Sequence, residues 1–254
     1  MGAGNSNYIV QLMKKKIIEN LKTLFYAFMI AILIRSFFFQ PFYIPSSSME
    51  PNLLIGDRLF VSKYTYGYSR HSLPFSPKIY NNRILPKIPK RGDIIVFKTP
   101  ADNRTDYIKR LIGLPGDSVQ IINKDLYIND VKIQKKKIDK LFDINCGNES
   151  LEADFFEEIL PNGKKYLTVY RNEGTMINSD KFIVPEEHYF FMGDNRDCSR
   201  DSRFLSSVGY VKFENLVGKA RVIFFSNNKK KGSLFQFWKW NNSIRADRIF
   251  KKIN

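Results

Sequence analysis

A mainly β protein behind one N-terminal transmembrane helix is the fold this sequence predicts, and three observations predict it. An apolar run over residues 23–39 carries a single charge, Arg35. Beyond it, four Gly-Asp pairs punctuate the chain at 56–57, 92–93, 116–117 and 193–194. After residue 39 no long stretch repeats its apolar residues at the 3.6-residue period of a surface helix. The 254 residues leave 254 − 39 = 215 beyond the anchor, enough to bury a substantial core. With 22 Phe and 13 Tyr, the composition excludes general disorder.

The anchor comes first. Crossing the hydrocarbon takes about 20 apolar residues, so the stretch TLFYAFMIAILIRSFFF is short and calls for tilt or help from its flanks. Arg35 stands near the outer end, where its long stem lifts the guanidinium to the headgroups. Lys14, Lys15, Lys16 and Lys22 precede the run, which by the positive-inside rule places residues 1–22 in the cytosol and the rest across the membrane. The run is long for a signal-peptide core. It leads into Gln40-Pro41-Phe42-Tyr43 rather than a small-residue cleavage site, so it is expected to be retained.

The first three Gly-Asp pairs each precede a short run rich in Val, Ile, Phe or Tyr (RLFVSKYTY, IIVFK and SVQII), which reads as turns opening strands. Pro74, Pro77, Pro86 and Pro89 make residues 70–90 an extended connection rather than a central strand. Residues 121–185 contain Lys135-Lys136-Lys137 and, over 143–158, six acids without one Lys or Arg. They are expected to form an inserted β subdomain whose charge runs are mostly solvated. The main antiparallel β domain is then 40–120 with 186–233, and 234–254 is a basic, aromatic, membrane-proximal tail.

The net charge of +16 suits nucleic acid or an anionic bilayer equally, and its distribution favours the bilayer. Residues 227–254 hold eight Lys or Arg against one Asp, together with both tryptophans, Trp238 and Trp240. Rings beside cations suit the headgroup zone. The two cysteines, Cys146 and Cys198, have no zinc spacing and no disulfide-framework density, and are expected to be unpaired thiols.

Chemistry concentrates in three places. Pro45-Ser46-Ser47-Ser48-Met49 follows the anchor and supplies hydroxyls. A serine needs a base to become a nucleophile. The two histidines, His71 and His188, lie in SRHSLP and VPEEHYFF without a catalytic context and suit surface or loop packing. Lys109, in Tyr107-Ile108-Lys109-Arg110-Leu111-Ile112, serves as a base only if burial depresses its pKa. Strand alternation by itself would turn it to solvent. The third place is Gly193-Asp194-Asn195-Arg196-Asp197-Cys198-Ser199-Arg200-Asp201-Ser202-Arg203, either a salt-bridged turn or a polar frame for the other two.

Taken together, the anchor and four ordered blocks resemble the type I signal peptidases, membrane-anchored Ser/Lys proteases. The blocks are IPSSSMEPNLLIGDRLFVSKY (44–64), RGDIIVFKTP (91–100), YIKRLIGLPGDSV (107–119) and GDNRDCSRDSR (193–203). The resemblance implies Ser48 as nucleophile and Lys109 as general base, with the Ser48 N–H and the Ser46 hydroxyl as oxyanion hole. It implies Ser199 as the serine that orients the lysine, and Asp201 and Arg203 as its support, with Asp194 and Arg196 more structural. Phe42, Ile44, Pro45, Leu53, Tyr107 and Ile108 match residues lining shallow pockets for small side chains at −1 and −3 of exported preproteins. It also implies a catalytic domain at the outer or periplasmic face of the cytoplasmic membrane, in contact with lipid, and no metal or organic cofactor. Glu50, Asn52 and Cys198 depart from many relatives, and the close Cys spacing of some relatives' inserted domains is absent. A specialised processing peptidase with few substrates fits the same residues. A basic adaptor for acidic partners or nucleic acid would leave the ordered blocks without a role.

Overall fold

The computed structural model describes residues 3–74, 76–77, 82–139, 144–147, 149–171, 176–233 and 236–253. Helix α1 spans Ala3–Phe37, and its Gln11–Phe37 portion, 27 residues of mean hydropathy 1.8, is long and apolar enough to cross a membrane. The expected span 23–39 overlaps this portion over residues 23–37, and the helix itself runs further back. The lysine-bearing turns before Thr23 are good helix formers, and nothing there stops the helix. At 1.5 Å per residue, 27 residues reach about 40 Å, long enough to carry Lys14, Lys15 and Lys16 beyond a hydrocarbon core of about 30 Å. At the other end Phe39 leaves the helix because it pairs with Ser62 as the first residue of a strand.

Among the described residues sixteen strands follow in chain order. The first four are β1 (Phe39–Tyr43), β2 (Asp57–Ser62), β3 (Ile94–Lys98) and β4 (Asp106–Gly113). Next come β5 (Ser118–Ile122), β6 (Asp125–Ile128), β7 (Val131–Lys132), β8 (Gln134–Ile138), β9 (Ile144–Cys146) and β10 (Glu149–Leu151). The remainder are β11 (Ala153–Ile159), β12 (Lys165–Arg171), β13 (Phe182–Ile183), β14 (His188–Met192), β15 (Val211–Lys212) and β16 (Leu216–Ser226). A seven-stranded sheet in the order β1-β2-β16-β3-β4-β14-β15 is antiparallel throughout. Three smaller sheets, β13-β5-β6-β7, β12-β11-β8 and β10-β9, hold the other strands. The mainly antiparallel β architecture behind one apolar helix is as the sequence predicts.

Strand β3 reads IIVFK and sits mid-sheet, which explains its unbroken apolar run. Ile94 and Val96 face one core with Ile44, Met49 and Leu53, while Ile95 and Phe97 face another with Tyr66, Leu111 and Phe191. Both faces are covered over Ile94–Phe97, so the first polar residue is Lys98 at the strand's end.

The three Gly-Asp turns share one construction. In each, the Asp N–H donates to the carbonyl three residues back, at 3.0 Å for Leu54, Lys90 and Leu114. The glycine between them has φ of +97°, +86° and +82° at Gly56, Gly92 and Gly116, which the third position of a type II turn requires. The Asp carboxylate returns to accept the N–H of the same residue, at 2.8 Å for Leu54, 3.3 Å for Lys90 and 2.5 Å for Leu114. Each carboxylate also meets a cation from elsewhere: Arg248 on Asp57, Lys219 on Asp93 and Arg91 on Asp117. The dipeptide thus closes a turn locally and fastens it globally.

The structure adds to the reading of the charge runs and of the tail. Glu158, within the acidic stretch, is buried and bonded to Arg196, whereas Glu149 and Glu152 are exposed as expected. The last residues also fold back: Ile223 N–H donates to the Lys251 carbonyl, Ile253 packs on the Ile44–Met49 core, and Arg248 grips buried Asp57. Trp238 and Phe237 stay exposed beside helix α2 (Trp240–Ser243). Asp143, Leu234 and Phe235 lie outside the described residues.

Candidate active site

The serine cluster follows β1 directly. Ser48 is buried in the turn beyond Tyr43, with Lys109 Nζ 2.6 Å from its Oγ and the Ser46 hydroxyl 3.3 Å away. Lys109 comes from β4, opposite Ile95 of β3, and Nζ also donates to the Ile108 carbonyl at 3.0 Å. Contrary to plain alternation, Lys109 is only 3% exposed. The register explains why. Met192 of β14 stands opposite Arg110, so the segment leaving β14 at Gly193 runs across the lysine.

Burial pushes the Lys109 ammonium down to about 8 from the ordinary 10.5, against the pull of Asp201 and Asp194 and with the help of Arg203. A fraction of the amine is therefore neutral near pH 8. In that form the Ser48 O–H donates into the nitrogen lone pair. The Ser48 N–H has no acceptor among the described residues, and Ser46, exposed at the rim, holds its hydroxyl next to Ser48 Oγ.

Residues 193–203 form the frame. Asn195 N donates to the Ser48 carbonyl at 3.2 Å, and Asn195 Nδ2 donates to the Ser47 carbonyl at 3.2 Å. Gly193 passes so close that a Cβ there would strike both the Ser199 side chain and the Ser48 carbonyl. Asp201 accepts from Gly193 N at 2.9 Å and from Arg203 Nε at 2.8 Å, while Arg203 also donates to the Arg196 carbonyl at 2.6 Å. Burial alone would raise the Asp201 carboxyl, but Arg203 and the Gly193 N–H hold it below its ordinary value. Ser199 is buried beside this group; its hydroxyl lies on the Asp201 side, where it helps hold that carboxyl down, and makes no hydrogen bond to Lys109.

Asp194 is bidentate to Arg110 at 2.8 and 2.9 Å and accepts from Asn52 Nδ2 at 2.8 Å, which joins β4 to the serine turn. Arg196 is bidentate to Glu158 of β11 at 2.8 and 2.5 Å, with the Tyr166 and Tyr170 hydroxyls completing the cluster. Both pairs are fully buried. Removing one partner of such a pair costs about 3–5 kcal/mol because the other charge is stranded.

The cysteines are bonded, Cys146 to Cys198, which overturns the expectation of two free thiols. They lie 52 residues apart in sequence but 5.3 Å apart between Cα atoms. Val169 of β12 makes the approach: its N–H donates to the Asp194 carbonyl and its carbonyl accepts from Arg196 N. The bond closes a ring. Glu50, two residues past Ser48, accepts from Asn145 N at 2.8 Å; Cys146 follows Asn145; Cys198 precedes Ser199; and Asn195 returns to Ser48. Burial raises the Glu50 carboxyl, and the Asn145 donors oppose it.

The other expected residues fall around this centre. Phe42, half-buried, and Ile108 pack on the core that contains Ile44 and Leu53, both fully buried; Pro45 is exposed at the rim; Tyr107 packs on the opposite core beneath the Lys109 ammonium, 5.4 Å from its ring. His71 is buried in the 70–72 turn, and His188 bonds the Glu186 carbonyl; neither bonds to Ser48. Sequence reasoning missed Asn195, Glu158 and the disulfide. Asn195 stood inside a recognised block, and no local signal marked the other two.

The chain matches the family model described as signal peptidase, peptidase S26, over residues 17–225. It is 40% identical over 242 residues to signal peptidase I of Rickettsia typhi, covering 88% of this chain and 89% of that protein. To signal peptidase I of Rickettsia bellii it is 42% identical over 241 residues, covering 88% and 81%. A crystal structure of a signal peptidase I from Enterococcus faecalis shares 31% identity over 52% of this chain and 97% of that one, with a TM-score of 0.31. This chain, with its apolar N-terminal helix and antiparallel β body, belongs to the signal peptidase family, the S26 peptidases.

Proposed function

We propose that the chain removes signal peptides from exported preproteins by Ser/Lys catalysis, with Ser48 as nucleophile and Lys109 as general base. The observation that carries this reading is the 2.6 Å contact between Lys109 Nζ and Ser48 Oγ, with both groups buried and the amine depressed to about 8. Neutral Lys109 takes the Ser48 proton as Oγ attacks the scissile carbonyl. The oxyanion is received by the Ser48 N–H and the Ser46 hydroxyl. Protonated Lys109 then donates to the leaving amine, and the neutral base activates the water that hydrolyses the ester. Ser199, buried beside Asp201, positions the lysine through the cycle, and Asp201 with Arg203 keeps residues 193–203 in place. Phe42, Ile44, Pro45, Leu53, Tyr107 and Ile108 shape the shallow pockets that admit small residues at −1 and −3.

The lysines at the start of α1 support a cytosolic N-terminus, with the β body at the outer face of the cytoplasmic membrane. Exposed Phe237, Trp238 and Trp240 with the neighbouring lysines rest on the bilayer, anionic lipid included, where substrate anchored by its own apolar segment is concentrated. The test is cleavage of a preprotein with an Ala-X-Ala site by wild type, Ser48→Ala and Lys109→Ala in detergent, with a fold check on each. Cleavage by wild type alone supports the dyad, and full activity in either variant removes that residue from it.

A further inference from the structure

Away from Ser48, at the outer end of α1, lies an open cavity of about 700 Å³. Ligand sites have volumes of this order. Five cations line it, Arg35, Lys63, Arg70, Lys98 and Arg104, against two carboxylates, Asp102 and Asp106. Asp106 is engaged by Lys98 at 2.9 Å, and Asp102 closes its own turn on Thr105 and Arg104 N. Arg35, Lys63, Arg70 and Arg104 have no carboxylate within ion-pair distance among the described residues.

The cavity wall is built and not merely solvated. Lys63 is 2% exposed, its Nζ held by the Ser72 carbonyl at 2.5 Å. Burial, and then the charge of Arg35, push its ammonium down to about 8, so an anion in the cavity would offset both. His71, 4% exposed, accepts from Arg70 Nε at Nε2, which leaves the hydrogen on Nδ1; that buried donor has no acceptor. Burial also holds His71 neutral, down at about 4.

Depth selects the anion. Lys63 N donates to the Phe38 carbonyl at 3.0 Å, the Tyr68 hydroxyl donates to the Phe37 carbonyl at 3.0 Å, and the Tyr68 and Phe37 rings meet edge to face. The cavity is thus stitched to the last turn of the membrane helix, at headgroup level, with Arg35 supplied by the helix itself. We infer that this cavity binds the phosphate of an anionic phospholipid headgroup, with Arg35, Lys63, Arg70 and Arg104 as its donors. The inference rests on α1 spanning a membrane and not on the proteolytic reading.

Its test reads binding, so it fails or stands apart from cleavage. The full chain in neutral detergent is titrated with short-chain phosphatidylglycerol, short-chain phosphatidylcholine and sodium phosphate, and bound molecules are counted by native mass spectrometry. Each cation near a membrane surface contributes about fivefold to binding an anionic lipid. Arg70→Ala and Arg104→Ala should each weaken phosphatidylglycerol binding about fivefold and leave phosphatidylcholine unchanged. Lys251→Ala/Lys252→Ala, on the far segment, should have no effect. Arg104 is exposed, so Arg104→Glu keeps the test decisive if an Arg70 variant does not fold. Undiminished phosphatidylglycerol binding in Arg104→Glu would overturn the site. Equal loss in the Lys251/Lys252 variant would reduce it to general charge, and sodium phosphate bound as tightly as the lipid would overturn the lipid assignment.

Discussion

Replacing Lys109 by Met, a chain of similar length without the amine, is expected to abolish turnover and yet stabilise the protein at neutral pH. The amine sits at about 8 in the fold against 10.5 for an ordinary lysine. That gap, 10.5 − 8 = 2.5, makes carrying the proton in the folded state cost about 3 kcal/mol below pH 8, at about 1.4 kcal/mol per unit. Methionine removes this cost but loses the bonds to Ser48 Oγ and the Ile108 carbonyl, each worth about 1 kcal/mol. The variant should gain about 1 kcal/mol near neutrality. Between pH 8 and 10.5 the folded lysine has lost its proton while the unfolded chain still holds one, so wild-type stability rises with pH there. Methionine has no such rise. The order therefore reverses, and above 10.5 the variant is less stable by about 2 kcal/mol. Urea unfolding of both proteins in one detergent, from neutral to strongly alkaline pH, measures this directly, because Lys63 and the other titrating groups are common to both and cancel. A stability difference of constant sign and size across that range would refute the burial argument for Lys109.

Four further outcomes are expected. With Lys109 neutral only above its pKa, kcat/KM should climb through about pH 8; a profile flat from pH 6 to 9 would remove Lys109 as the titrating base. Ser46→Ala should lower kcat by about 10²–10³ while unfolding is unchanged, since Ser46 is exposed; matched loss of stability would mark it as structural. Reduction, or Cys146→Ser, opens a 52-residue loop worth about 4 kcal/mol by chain entropy and loosens the ring around Ser48, so both midpoint and kcat should fall; indifference of kcat to dithiothreitol would separate the ring from catalysis. Arg248→Met strands part of the buried Asp57 charge and should cost about 3 kcal/mol, less than a full pair because Arg245 remains 3.6 Å away; calorimetry decides. For the same reason, truncating 234–254 would disturb folding as well as membrane contact.

Much of this protein is written in short segments. An apolar run fixes a helix long and apolar enough to cross lipid wherever the rest of the chain goes. Gly-Asp fixes a type II turn, because only glycine takes the positive φ readily and the carboxylate reaches the turn's own N–H. The IIVFK run announced a strand, and the four blocks pointed to the serine and the lysine in family order.

What the tertiary structure decided is which groups are denied water and which distant groups meet. Lys109 reads as a surface lysine until the pairing of β14 with β4 lays residues 193–203 over it, and only then does its pKa fall. Glu158 reads as one more acid in a solvated stretch until β11 and β12 dock and hand it to Arg196. Cys146 and Cys198 become partners because Val169 pairs with the chain on either side of Asn195. The final residues read only as a basic, aromatic tail, and it takes the fold to bring Arg248 onto Asp57. Turn chemistry and helix length depend on neighbours in sequence, whereas desolvation and disulfide pairing depend on neighbours in space.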